Sequence, residues 1–198
     1  TDDTLSTRMK AVGEIMAIGR TFEEALGKAM RSLENGRAGL GGDGRGPEGG
    51  VSDAELDDLV ARPTAERILY LAEALRRGRS VADVRAATGI DPFFLHRMAD
   101  MVAVERALAG MRLEDLDHDA FLVAKRYGLS DAEIAVLPGS DERTVRACRK
   151  ILGVRPAFKT VDTCAAEFEA STPYYYSVYG SENEAAITKP EKKVLVLG

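Results

Sequence analysis

The sequence has no tryptophan, two histidines and two cysteines. Two thiols, Cys148 and Cys164, cannot build a disulfide framework or a four-cysteine zinc site, so a reducing, cytoplasmic setting is expected. Neither His96 nor His118 has a second ligand or a nucleophile at a telling spacing, and both read as packing or surface residues. Cys164 lacks a neighbouring histidine to activate it and is expected to be a small buried hydrophobe. No apolar run approaches the roughly 18 residues of a membrane span, and the N-terminal TDDTLSTRMK has no signal-peptide core. Positive charge is also short. Lys and Arg number 27 against 32 Asp and Glu, a net charge of −5, so the balance of charge draws the chain to neither nucleic acid nor anionic membrane. The phosphate-binding GxxxxGK[ST], the GxSxG elbow and HExxH are all missing. No catalytic, cofactor or metal site is expected within these residues.

What is present is a series of helix punctuation marks. MKAVGEIMAIGR, residues 9–20, mixes small apolar residues with glycine and predicts a strand. Thr21 then opens a helix, TFEEALGKAMRSLEN, with Glu24 placed for a capping box. Phe22, Ala25, Leu26, Ala29, Met30 and Leu33 recur at helical spacing and predict its buried face, and Gly36 its left-handed end. Residues 36–50, rich in glycine, predict a flexible surface linker. From 51 to 155 each segment reads helical. SDAELDDLVA, TAERILYLAEALRRG, SVADVRAATG, DPFFLHRMADMVAVERALAG, DHDAFLVAKRYG, SDAEIAVLPG and DERTVRACRKILG all begin on a capping residue, and most close on glycine. An all-α domain follows.

Beyond Pro156 the pattern breaks. VDTCAAEFEASTPYYYSVYG, Val161 to Gly180, holds four of the six tyrosines and has neither helical nor strand period. It predicts an extended connector, over 156–190, whose rings need a surface to cover them. The acidic SENEAAITKPE is poorly patterned. KKVLVLG has the form of the first strand of a doubly wound domain, with the expected phosphate loop not yet reached. With no initiator Met and a terminal strand left uncovered, the sequence is expected to be a piece of a longer protein.

One segment suggests a different class of function. GLSDAEIAVLPGSDERTVRACRKILG places two capped helices around LPGS, in the manner of a helix-turn-helix DNA-binding regulator. Arg143, Arg146, Arg149 and Lys150 would line its reading helix. Short helical hairpins are common, and late cations also suit a helix dipole. The acidic charge balance favours that plainer reading, and no nucleic-acid partner is expected.

Four stretches taken together resemble the large subunit of glutamine-hydrolysing carbamoyl-phosphate synthase. They are STRMKAVGEIMAIGRTFEEALGKAMRSLE, IDPFFL, KILGVRPAFKTVDTCAAEFEASTPYYYSVYG and KKVLVLG, in the family's order across nearly the whole chain. The resemblance implies a mainly α segment. Residues 1–35 would end the first ATP-grasp synthetase half, 36–50 form a linker, 51–155 form a helical oligomerisation domain, 156–190 a connector, and 191–198 the first strand of the second half. It implies that the parent is a ligase making carbamoyl phosphate for arginine and pyrimidine synthesis, from bicarbonate, glutamine-derived ammonia and two ATP. It also implies that magnesium or manganese, and potassium, serve the parent outside this segment. Implied partners are the rest of the large chain, the small glutaminase subunit and further copies through the helical domain.

The resemblance makes Glu14, in VGEIM, similar to a glutamate lining the tunnel through which carbamate passes between the halves. A carboxylate between Val12 and Met16 is costly to bury without a partner or water. The alternative is a sheet-edge glutamate paired with Lys10 or Arg20.

Overall fold

The computed structural model describes residues 6–9, 15–45, 50–136, 140–169 and 174–185. The chain divides into two compact units, Thr1–Arg155 and Pro156–Gly198. Among the described residues the regular elements of the first are helices: α1 Phe22–Ser32, α2 Asp53–Ala61, α3 Arg67–Arg76, α4 Val81–Thr88, α5 Pro92–Leu108, α6 His118–Arg126, α7 Asp131–Ile134 and α8 Glu142–Ile151, with a 3-10 turn at Leu113–Asp115 and one isolated β-bridge between Ala109 and Met111. The mainly α fold expected from the sequence is therefore observed.

The caps explain where most helices begin. Ser52, Ser80 and Ser130 form complete capping boxes with Glu55, Asp83 and Glu133, and the Asp117 and Asp141 side chains accept from the backbone N–H three residues on. Asp91 starts α5 with Pro92 at its first position, and Gly89 closes α4 with φ of 72°. Two starts differ from expectation. Thr64 does not cap α3, which begins only at Arg67 after a turn in which the Arg67 N–H donates to the Thr64 carbonyl. At α1, Thr21 accepts from the Glu24 N–H, but the Glu24 carboxylate takes the N–H of Arg20.

Packing alters the reading of α1 further. Its most buried positions are Glu23, Glu24, Gly27 and Met30, whereas Phe22 and Leu26 are only partly covered and Leu33 is exposed. The reason is a close crossing at glycines. A Cβ on Gly27 would lie 2.4 Å from the Gly128 carbonyl oxygen, and one on Gly128 would lie 2.3 Å from that of Glu23. Two backbones meet there, which brings the glutamates at the start of α1 inside. The helix also ends earlier than Gly36, since Glu34 already has φ of 50°.

The core of this unit runs from Met30 and Leu40 through Leu56, Leu69, Leu95 and Met101. Helix α5 is central, in contact with α1, α3, α4 and α6. Leu40 belongs to the stretch expected to be a loose linker, yet it is 0% exposed. The described part of that stretch is thus a folded loop within the helical unit. The described residues of the expected strand at 9–20, namely 9 and 15–20, adopt no strand, and Lys10 to Glu14 lie outside the described residues.

In the second unit, the connector expected to lack strand period contains a hairpin. β1 Ala157–Thr160 pairs antiparallel with β2 Tyr175–Val178, in the register Ala157 to Val178 and Thr160 to Tyr175. The acidic residues after it supply the missing partners: Lys159 Nζ donates to Glu182 and Glu184, each at 2.9 Å, and Glu184 also accepts from the Thr160 N–H. KKVLVLG lies outside the described residues.

Candidate functional site

Two groups of buried charge lie in the helical unit, one joining α6, α7 and α8 and the other bringing carboxylates of α5 and α7 against the glycine loop. Asp131, the first residue of α7, accepts from Lys125 Nζ at 2.9 Å and from Arg149 Nε at 2.8 Å, with all three side chains buried. Arg149 also donates to the Val154 carbonyl, closing the end of α8. Burial pushes the Asp131 carboxyl up, but the Arg149 hydrogen bond and the Lys125 charge outweigh it and hold the pKa below its ordinary value. Burial also lowers Lys125, against the pull of Asp131. Charges matched in this way are structural. They join α6, α7 and α8, beside the buried Ile134 and Val145.

Two further carboxylates lie under the glycine loop. Glu133 caps α7 through Ser130, whose N–H and hydroxyl it accepts at 2.7 and 2.9 Å, and its nearest cation is Arg31 at 3.8 Å. Burial raises its pKa to about 7. Glu105 on α5 accepts from Arg76 at 2.9 Å, and burial raises its pKa against that opposing charge. Arg76 in turn donates to the Leu40 carbonyl at 3.1 Å. The loop comes close enough for Leu40 to reach the core, and its glycines leave room for the two carboxylates in their present positions. A Cβ on Gly39 would lie 1.6 Å from Glu133 Oε1, and one on Gly42 would lie 2.4 Å from the Glu105 carboxylate carbon. Beside them is a cavity of about 230 Å³ lined by Gly42, Glu105, Leu108, Leu129, Glu133 and Ile134. Sequence reading passed over Glu105, Glu133 and Arg76. The signal available was the capping box at Ser130, which placed Glu133 at the start of α7 but not under the loop.

The residues singled out from sequence are scattered. His96 is exposed, and His118 is exposed with Nδ1 2.8 Å from Asp119 Oδ1. Cys148 and Cys164 are free thiols of intermediate exposure, so Cys164 is not the buried hydrophobe expected. It lies in a turn where Asp162 Oδ1 accepts from its N–H. Glu14 lies outside the described residues, as does Leu137–Gly139 of the helix-turn-helix candidate. Within that candidate, Arg143, Arg146 and Lys150 are exposed on α8 while Arg149 is turned inward to Asp131. The four cations therefore do not form one reading face. Among the described residues, no three His, Cys, Asp or Glu side chains are grouped to hold a metal, and no helix is long and apolar enough to cross a membrane.

Residues 14–153 match the family described as carbamoyl-phosphate synthetase large chain, oligomerisation domain. The whole chain is 46% identical to a carbamoyl phosphate synthase large chain of Archaeoglobus fulgidus, of which it covers 18%. It is 44% identical over its full length to the protein of that name from Rhodopirellula baltica, covering 19%, and 45% to that of Xanthomonas campestris pv. campestris, covering 18%. The chain thus spans less than a fifth of the length of these relatives, and it belongs to the carbamoyl-phosphate synthetase large-chain oligomerisation-domain family.

Proposed function

We propose that the chain is the self-associating, connecting segment of a carbamoyl-phosphate synthase large chain, without catalytic activity of its own. The match of residues 14–153 to an oligomerisation domain carries this reading, and full-length similarity to large chains supports it. The parent is a cytoplasmic, glutamine-hydrolysing ligase that makes carbamoyl phosphate for arginine and pyrimidine synthesis from bicarbonate, ammonia released in a small subunit, and two ATP. The nucleotides, magnesium or manganese, and potassium bind elsewhere in that parent. The role of this segment is mechanical: it holds two synthetase halves in one particle and brings copies together. The hairpin of the second unit, with Tyr174 and Tyr175 exposed, serves as a strap whose rings are covered by the second half. Sedimentation of the chain over the micromolar range is expected to show reversible association, and calorimetry no binding of magnesium-ATP. A monomer at every concentration overturns the self-association, and micromolar nucleotide binding overturns the inert role.

In the same reading, Glu14 lines the carbamate path. Replacing Glu14 by Gln in the parent should leave bicarbonate-dependent ATP hydrolysis and ATP formation from carbamoyl phosphate intact, while coupled synthesis falls. Parallel loss of both partial reactions and of melting temperature identifies an ion-paired structural residue instead.

A further inference from the structure

The cavity beside the glycine loop combines aliphatic walls with two carboxyls. Leu108, Leu129, Ile134 and Val136 supply the walls, and Glu105 and Glu133 the carboxyls, around a space of about 230 Å³. The Glu133 side chain is 4% exposed and that of Glu105 10%. Their donors are unevenly placed. Ser130 gives both its N–H and its hydroxyl to Glu133 Oε2, and Arg76 gives two nitrogens to Glu105 Oε2, at 3.1 and 2.9 Å. Oε1 of each carboxyl has no hydrogen-bond donor among the described residues. Arg97 Nε is the one fully enclosed side-chain nitrogen or oxygen among them without a partner, so both Oε1 atoms keep some open surface. A carboxylate oxygen taken from bulk water without a donor in exchange is costly, and a ligand that brings donors removes that cost.

The surrounding charges compensate these carboxyls only in part. Arg76 serves Glu73 as well as Glu105, and Arg31 stands 3.8 Å from Glu133. Asp43 and Glu73 add negative charge beside Glu105, and Glu105 adds it beside Glu133. The chemistry asks for a cation.

The walls select its kind. Magnesium and calcium take about six to eight oxygen ligands, which two carboxyls among aliphatic side chains do not supply. A primary ammonium carries three N–H donors on one nitrogen and can bear an alkyl chain to lie against leucine and isoleucine. The volume is below the roughly 300–1,000 Å³ of drug-sized ligand sites, so the chain is short. We propose that this cavity binds a short-chain primary alkylammonium, its nitrogen held by Glu105 and Glu133 and its chain packed against Leu108, Leu129 and Ile134. The site lies within the helical unit and does not depend on self-association.

Burial holds both carboxyls above their ordinary pKa, Glu133 at about 7, so without ligand Glu133 is partly protonated at neutral pH and a bound ammonium displaces that proton. Affinity for the cation therefore rises with pH until Glu133 is fully ionised.

The test uses the intact polypeptide that carries these residues, labelled at isoleucine and leucine methyl groups and titrated with n-butylammonium chloride. Saturable shifts are expected at the Ile134 and Leu129 methyls. With one group titrating at about 7, binding should be about tenfold weaker at pH 6 than at pH 8. Glu133→Gln should remove that pH dependence and weaken binding at pH 8 by about tenfold, and Glu105→Gln should weaken it similarly. An unchanged methyl spectrum of each variant before titration shows that the cavity is still folded. Equal shifts from n-butanol reveal an apolar hole that ignores charge, and equal shifts from potassium chloride reveal screening alone; either overturns the proposal. So does the absence of a saturable shift at millimolar probe, or binding that both variants leave unchanged.

Discussion

Arg149 Nε lies 2.8 Å from Oδ1 of Asp131, 18 residues earlier in the chain, and so ties the last helix of the first unit to the one-turn helix before it. Lys125 completes the cluster from α6. Replacing Asp131 by Asn removes the countercharge that two buried cations share, and a loss of about 3–5 kcal/mol is expected in urea unfolding. Removing all three charges together, with apolar residues of matching volume, should cost much less. A loss under 1 kcal/mol for Asp131→Asn alone would show that the cluster is solvated in solution.

The carboxyl of Glu133 binds its proton more tightly in the folded chain than in the unfolded one, with a pKa of about 7 against an ordinary value near 4.5. The folded state thus holds more protons across this window. The stabilising contribution is complete below the unfolded value and is lost as pH rises through about 7, a fall on the order of 3 kcal/mol. Glu133→Gln keeps a side chain able to complete the capping box and has no charge to bury. Its melting temperature should exceed that of the parent sequence at pH 8 and approach it at pH 5. Identical pH profiles for the two proteins would refute the assignment.

Gly39 is needed for space. The methyl added by Gly39→Ala pushes the Glu133 carboxylate away from the Ser130 N–H and hydroxyl that donate to it, and a destabilisation of about 1 kcal/mol is expected. Because the displacement involves one named partner, the double variant Gly39→Ala with Glu133→Ala should cost less than the sum of the single changes. Additive losses in chemical unfolding would place the strain elsewhere.

Leu40 anchors the glycine loop in the helical core. Leu40→Ala should destabilise by about 2–5 kcal/mol, the range for a leucine removed from a packed interior. Hydrogen exchange should then quicken at the Ala38 N–H, which the loop's own Asp43 accepts at 3.2 Å. A surface linker would show neither effect.

Local chemistry settled much of the helical unit in advance. Serine and aspartate caps marked the starts of α2, α4, α5, α6, α7 and α8, because the donors they satisfy lie within three residues of the cap. The specific runs around MKAVGEIMAIGR and VDTCAAEFEASTPYYYS pointed to the family that the comparisons then showed.

Tertiary structure decided what depends on approach between distant segments. The glycines at 36–45 look the same in sequence whether a loop is loose or pressed against carboxylates, and only the positions of Glu105 and Glu133 separate the two cases. Arg149 reads as one of four cations on a helix until Asp131 turns it inward. The β1–β2 hairpin pairs residues on either side of a long excursion, and no periodicity within four-residue strands announces it. Side-chain caps act over three residues and are written in the sequence. Burial, ion pairing and strand partnership act over tens of residues, and the fold alone determines them.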